Sequence, residues 1–390
     1  MTGALFDLLD LVARWIHLIA GIMWIGNSLL FNWLNRNLRD KQIWLLHSGG
    51  FYFVEKSLLE GRSLPHPLHW FKWQAYTTWW SGVALLVVVY YVGSRAVLES
   101  PALSHSAGIA VGVGAIVVGW ALYESMQRFV APAMPVVGAA IWLIGLGAIA
   151  AALTRLLDGR AAFLHVAAML GTIMAANVYF TIIPSQRELV AAVAGGRGAD
   201  PAVSARAKRV SIHNNYFTFP VLVLMVSNHF PALYGHRWNW LVLFALIAIG
   251  ALVRHLLNIR FAFAAWRPAL ATTLIAGAVA LFALLRVGRQ PALVTTSAVA
   301  MPERVTFADV RHVIDRRCAV CHSQQPADPT FGIAPGGVAF DTPGQVAARV
   351  DRIRERAVVT RTMPPANKTH ITDAERALIA RWIEQGAVAR

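Results

Sequence analysis

The chain has 390 residues, 57% of them hydrophobic and 14% charged, with a formal net charge of +15 and a mean hydropathy of +0.52. That balance excludes an ordinary soluble domain and a disordered segment. The positive excess lies in the first 290 residues, 22 Lys and Arg against 10 Asp and Glu, dispersed between apolar runs in a way that topology explains and nucleic-acid binding does not.

In chain order, apolar runs long enough for a hydrocarbon core of about 30 Å fall near 8–32, 78–98, 107–126, 134–153, 161–183, 216–234, 238–257 and 267–287. The expectation is therefore all-α, an eight-helix transmembrane bundle over 1–289 in contact with membrane lipid. The first run is too long for a cleaved signal peptide, and Asp7 and Asp10 flank it instead of basic residues. The second and sixth runs are the most interrupted by polar residues. With the N-terminus outside, the inner connections hold 15 basic residues and the outer ones six, so the positive-inside rule puts the C-terminus outside as well. Two inner segments, 33–76 and 184–213, are long for loops, and long loops tend to carry function. The first is dense in aromatics, including Trp44, Phe51, Tyr52, Phe53 and Trp70. Interfacial anchoring accounts for the tryptophans nearest the span ends, but poorly for Gly49-Gly50-Phe51-Tyr52-Phe53.

Ten of the 13 histidines precede the C-terminal region. His17, His165 and His229 fall near outer span ends, and His69, His213 and His255 near inner ones. Read as one helix, 213 and 229 are about 24 Å apart. Ionisable side chains at membrane depth mark functional positions by default, although each could serve only as a hydrogen-bonded packing residue. Imidazoles on facing helices are also how bundles hold haem b, which makes His17, His165 and His229 candidate ligands.

Residues 290–302 read as a short uncharged linker. Beyond it, Cys318-Ala319-Val320-Cys321-His322 contains both cysteines of the chain. Cys-x-x-Cys-His is the covalent attachment signature of c-type haem, with two thioethers from the cysteines and an axial nitrogen from His322. A zinc site lacks further ligands at short spacing. A disulfide across two residues is strained, and a thioredoxin-like motif would need a βαβ context. Thr306–Arg317 can form the leading helix, and Met363, in Thr-Met-Pro-Pro, offers the second axial ligand. Met301 is a competing thioether, but it precedes that helix and reads as linker. Thr372 and Glu375 form a capping box for a closing helix over Asp373–Gly386. Residues 303–390 thus read as a small class I cytochrome c, a fold whose haem is attached on the outer side of a bacterial inner membrane.

Several segments together resemble the membrane-bound, cytochrome-c-fused urate oxidases of bacterial purine degradation. They are Trp15-Ile16-His17-Leu18-Ile19-Ala20-Gly21-Ile22-Met23-Trp24-Ile25-Gly26, His47-Ser48-Gly49-Gly50-Phe51-Tyr52, Leu68-His69-Trp70-Phe71-Lys72-Trp73, His213-Asn214-Asn215-Tyr216-Phe217-Thr218-Phe219-Pro220, Ser227-Asn228-His229 and Arg254-His255. The order of eight spans and one haem-c domain agrees over nearly the whole chain. The first segment also occurs in other haem-binding or copper-related membrane families, and Ser48 departs from an all-glycine run. The resemblance implies oxidation of urate to 5-hydroxyisourate, with electrons passing through haem c to a terminal cytochrome oxidase or a soluble cytochrome. It also implies a plasma-membrane protein with a periplasmic cytochrome domain. His69, His213, Asn214, Arg254 and His255, with Trp70 and Tyr216 beside them, would supply the stacking, amide and cationic groups that suit a flat purine anion. Two other functions stay open at this level: a cytochrome c oxidoreductase with another donor such as a quinol, and a non-enzymatic electron-transfer anchor.

Overall fold

The computed structural model describes residues 3–38, 40–57, 63–93, 103–287, 304–328 and 334–389. The linker expected at 290–302, with Met301, lies outside them. Two main apolar cores organise the described residues, one among the long helices and one among residues 305–389, with a small third cluster of Ala75, Val178 and Ile183.

The first element is α1 (Gly3–Asn37), followed by an antiparallel hairpin of β1 (Gln42–His47) and β2 (Gly50–Glu55). Next come α2 (Trp73–Leu85, continued to Gly93 by wider π-type turns), α3 (His105–Ser125), α4 (Pro135–Leu156) and α5 (Gly159–Asn177). A π-type turn at Val178–Ile182 joins α5 to α6 (Ile183–Ala194), and α7 (Pro201–Ser227), the short α8 (Pro231–Tyr234), α9 (Asn239–Ile259) and α10 (Trp266–Val287) complete the bundle. α5 is the central helix, packed on α3, α4 and α7, while α9 bridges α7 and α10. Small residues permit the close approach. Gly108, Gly112 and Gly119 form the buried stripe of α3, and a Cβ at Gly112 would lie 2.5 Å from His165 Nε2 of α5. Outward faces are apolar: Leu11, Trp15, Leu18 and Ile22 of α1 are each at least 60% exposed, and α10 buries none of its residues. Long helices with apolar outer faces are what a bilayer solvates.

Seven helical stretches among the described residues are long and apolar enough to cross a membrane: 8–37, 73–92, 105–130, 135–156, 159–194, 239–259 and 266–287. The expected sixth span, 216–234, is displaced. Asp200 caps α7 by accepting from the Ala202 N–H at 2.8 Å, with Pro201 at the first helical position. The helix therefore begins in the basic segment that was expected to be loop, and it ends at Ser227. Pro231 pushes Phe230 out of the helical region. His229 thus sits in a turn beyond the helix, not on one helix with His213. The 184–213 loop likewise shrinks to 195–200.

The all-α expectation also needs correction in segment 33–76. Ser48 (φ 50°) and Gly49 (φ 75°) form the two-residue left-handed turn that suits a tight hairpin, which explains the Gly49-Gly50-Phe51-Tyr52-Phe53 run. Register puts Trp44 opposite Phe53 and Leu46 opposite Phe51 on one apolar face, with the Trp44 and Phe53 rings 5.0 Å apart.

In the C-terminal unit, α11 (Phe307–Arg317) and α12 (Asp373–Glu384) pack together, with Phe307 5.7 Å from Trp382. Both helices open with capping boxes, Thr306 with Asp309 and Thr372 with Glu375. The second of these is the one expected from the sequence.

Candidate functional site

Cys318, Cys321 and His322 occupy one turn at the end of α11. The Cys318 N–H donates to the Ile314 carbonyl at 2.8 Å, and the Cys318 carbonyl accepts from the Cys321 and His322 N–H groups at 3.1 and 2.8 Å. The thiols are not bridged. Burial pushes the Cys318 thiol up to about 12 and, with help from Asp328, that of Cys321 up to about 11. His322 Nδ1 lies 2.9 Å from the Val338 carbonyl oxygen. A carbonyl only accepts, so Nδ1 carries the proton and the Nε2 lone pair is free. Burial holds the imidazole below its ordinary value, which favours this neutral form. Met363 is half-buried on a segment pinned by Arg376, which donates to the Met363 carbonyl at 2.9 Å and also to that of Ala357. Arg317 pins the following turn through the Thr369 carbonyl at 2.6 Å. Two thiols and a metal-ready imidazole on one turn, with a thioether on a braced loop, fit the ligands of a c-type haem.

Within the bundle, the residues expected at inner span ends fall into three groups. The first is a buried network across α3, α5 and α7. The Tyr123 hydroxyl lies 2.9 Å from His213 Nδ1 and 3.0 Å from Asn177 Nδ2, and Asn177 donates to Asn214 Oδ1 at 2.8 Å. Asn214 in turn donates to the Met174 carbonyl at 2.9 Å. Glu124 and Arg206 pair at 2.6 Å on the same two flanking helices, α3 and α7. Among the described residues, Gln127 Oε1, Arg206 Nε and Arg209 Nε are buried without a protein partner. The second group joins α7 to α9: Asn215 Oδ1 accepts from Arg254 Nε at 2.9 Å and from Asn258 Nδ2 at 2.7 Å. In the third, His255 Nδ1 and the Tyr216 hydroxyl are 2.8 Å apart near the surface. His69 stands apart, exposed and edge-on to Phe71 at 4.7 Å.

Residues 3–286, the span of the bundle, match the family model described as "Urate oxidase N-terminal". The chain belongs to the urate oxidase N-terminal family. No curated protein and no solved structure matches it.

Within this urate oxidase N-terminal domain, sequence reasoning found His213 and Asn214 but missed Tyr123, Asn177 and Gln127. A signal was available for Asn177, an amide inside an apolar run. Tyr123 carries none, because tyrosine near a span end is ordinary anchoring.

The outer histidines are each held by their own neighbours. His17 Nδ1 is bonded to the Thr78 carbonyl at 2.9 Å and to Ser81 Oγ at 3.1 Å. Both nitrogens of His165 are engaged, by the Ala161 carbonyl at 2.8 Å and the Tyr91 hydroxyl at 3.1 Å, and its ring fills the hollow at Gly112. His229 is exposed in its turn. So packed, His165 has no nitrogen left for a haem, whereas His17 is engaged at Nδ1 alone.

Proposed function

We propose that the protein is a membrane-bound urate oxidase that passes electrons to a haem c carried by its C-terminal unit. The observation that carries this reading is the union, in one chain, of a urate oxidase N-terminal domain and a helical unit whose His322 presents a free Nε2 beside two thiols. Haem c, when bound, supplies a one-electron acceptor.

Urate and water give 5-hydroxyisourate, two electrons and two protons, so each turnover fills that acceptor twice. The Tyr123–Asn177–His213–Asn214 network offers the groups a planar purine anion needs. Amide edges from Asn177, Asn214 and the unpartnered Gln127 match its alternating donors and acceptors, and Arg206 and Arg209 supply positive charge. His213 Nδ1 is engaged by the Tyr123 hydroxyl, and in the tautomer that donates from Nδ1 its Nε2 would take a substrate proton as electrons leave. Arg254, by its bond to Asn215, positions the neighbouring stretch of α7, and His255, bonded to Tyr216, would line the approach. The outward apolar faces support a bacterial plasma-membrane location, and the periplasmic side of the C-terminal unit follows from the haem c reading, since c-type haem is attached there.

Anaerobic mixing of the purified protein with urate tests the reading. The c-type α-band of ferrous haem is expected to grow in at two equivalents per urate. A haem that ubiquinol reduces and urate does not would assign a different donor.

A further inference from the structure

The bundle meets the C-terminal unit at Gly235, the residue after α8. Its φ of −84° and ψ of 2° are open to any residue, so no backbone demand calls for glycine. Space does. A Cβ here would lie 2.6 Å from Thr362 Cγ2, 2.9 Å from Thr360 Cβ and 2.8 Å from the Pro231 carbonyl oxygen. From the bundle side the seat is rigid. The Tyr234 carbonyl accepts from Asn239 Nδ2 at 3.0 Å and lies so close over Gly159 that no Cβ would fit between. On the other side, the Thr360 hydroxyl donates to the Glu355 carbonyl at 2.7 Å, and the Thr360 and Thr362 hydroxyls are 3.1 Å apart. Tyr234 is 7% exposed with Arg356 in electrostatic reach, and His236, 8% exposed, has an Nε2 without a protein partner among the described residues.

We propose that this contact is the dock through which electrons enter the C-terminal unit, with Gly235 as its positioning residue. The segment seated on it, 354–363, is the one that carries Met363. A tether sets a local concentration but no orientation, whereas tunnelling falls off exponentially with separation, so a fixed seat decides the rate. Each transfer moves one electron from the bundle to ferric haem c, two per urate, the two protons having left with the oxidation of the purine. The inference rests on the haem c reading above.

The test uses the full chain. In Gly235→Val, urate-driven reduction of haem c is expected to slow by at least about tenfold, as misplacement of a reacting pair does. The α-band, the midpoint potential and reduction by ascorbate should stay as in the wild type. Because a Cβ also crowds Pro231, Thr362→Lys repeats the test from the other face, with the same controls. The seat itself is read without activity: the pair Gly235→Cys and Thr362→Cys should form a disulfide on mild oxidation, detected by peptide mass spectrometry. A wild-type rate in both Gly235→Val and Thr362→Lys, or a folded, haem-loaded double-cysteine protein that never cross-links, would overturn the dock. If wild-type haem c is not reduced by urate at all, the proposed function fails, and the cross-link still judges the contact.

Discussion

His322 donates from Nδ1 to the Val338 carbonyl, and that bond sets both the tautomer and the direction of the remaining lone pair. His322→Ala is therefore expected to leave covalent haem with abnormal ligation, visible in its spectrum. Cys318→Ala with Cys321→Ala should remove haem staining from a denaturing gel. Met363→His should keep the haem and lower its potential in a redox titration, since a thioether favours ferrous iron more than imidazole does. In the bundle, His213→Ala is expected to cut urate-driven kcat by about 10²-fold or more, and Tyr123→Phe by less, because the imidazole survives and loses only one partner. The Cys318–His322 turn was legible because its residues are adjacent at a fixed spacing. Tyr123, Asn177 and His213 come from three helices, so only the packing of α3, α5 and α7 brings them together.

Helix ends and crossings decide what those side chains can reach. Gly250 of α9 lies where a Cβ would meet Pro220 N at 3.0 Å and the Phe219 carbonyl carbon at 3.2 Å, so glycine lets α9 approach α7 at its proline. Gly250→Val should force the helices apart, break the Arg254–Asn215–Asn258 link, and cost about 1–3 kcal/mol in detergent unfolding. In the C-terminal unit, burial alone would raise the Glu375 carboxyl, but hydrogen bonds from Thr372 and Arg317 outweigh it and hold the group below its ordinary range. A carboxyl depressed in the folded state stabilises above its unfolded pKa, and that contribution is lost as pH falls through the folded one. Glu375→Gln should therefore flatten the acid limb of thermal stability below about pH 4.5, measured by the loss of α-helical circular dichroism in the C-terminal unit. Capping boxes and apolar runs made most helices legible. The start of α7 was not, because Asp200 and Pro201 launch a helix in a segment whose charge reads as loop, and the hairpin was hidden by treating Gly49 as an oddity instead of a turn.

For the molecule as a whole, the two candidate sites lie far apart. Asn177 and His165 are twelve residues apart on α5, about 18 Å at the helical rise, and the C-terminal unit lies beyond the His165 end. On the proposed reading, an electron leaving the His213 network would need a carrier between them, and His165 as packed has no nitrogen free to hold one. Pyridine-haemochrome and metal analysis of the purified protein is expected to find one redox centre besides haem c. A single haem per chain with full urate turnover would move the oxidation to the outer helix ends, beneath the Gly235 seat.

The thiols of Cys318 and Cys321 bear on how such a protein is made. With burial pushing them up to about 12 and about 11, both stay protonated at neutral pH in the closed fold, and the thiolate is the reactive form of cysteine. On the proposed haem c reading, a domain that folded before it received its porphyrin would disfavour its own attachment chemistry, and haem would instead join an open chain.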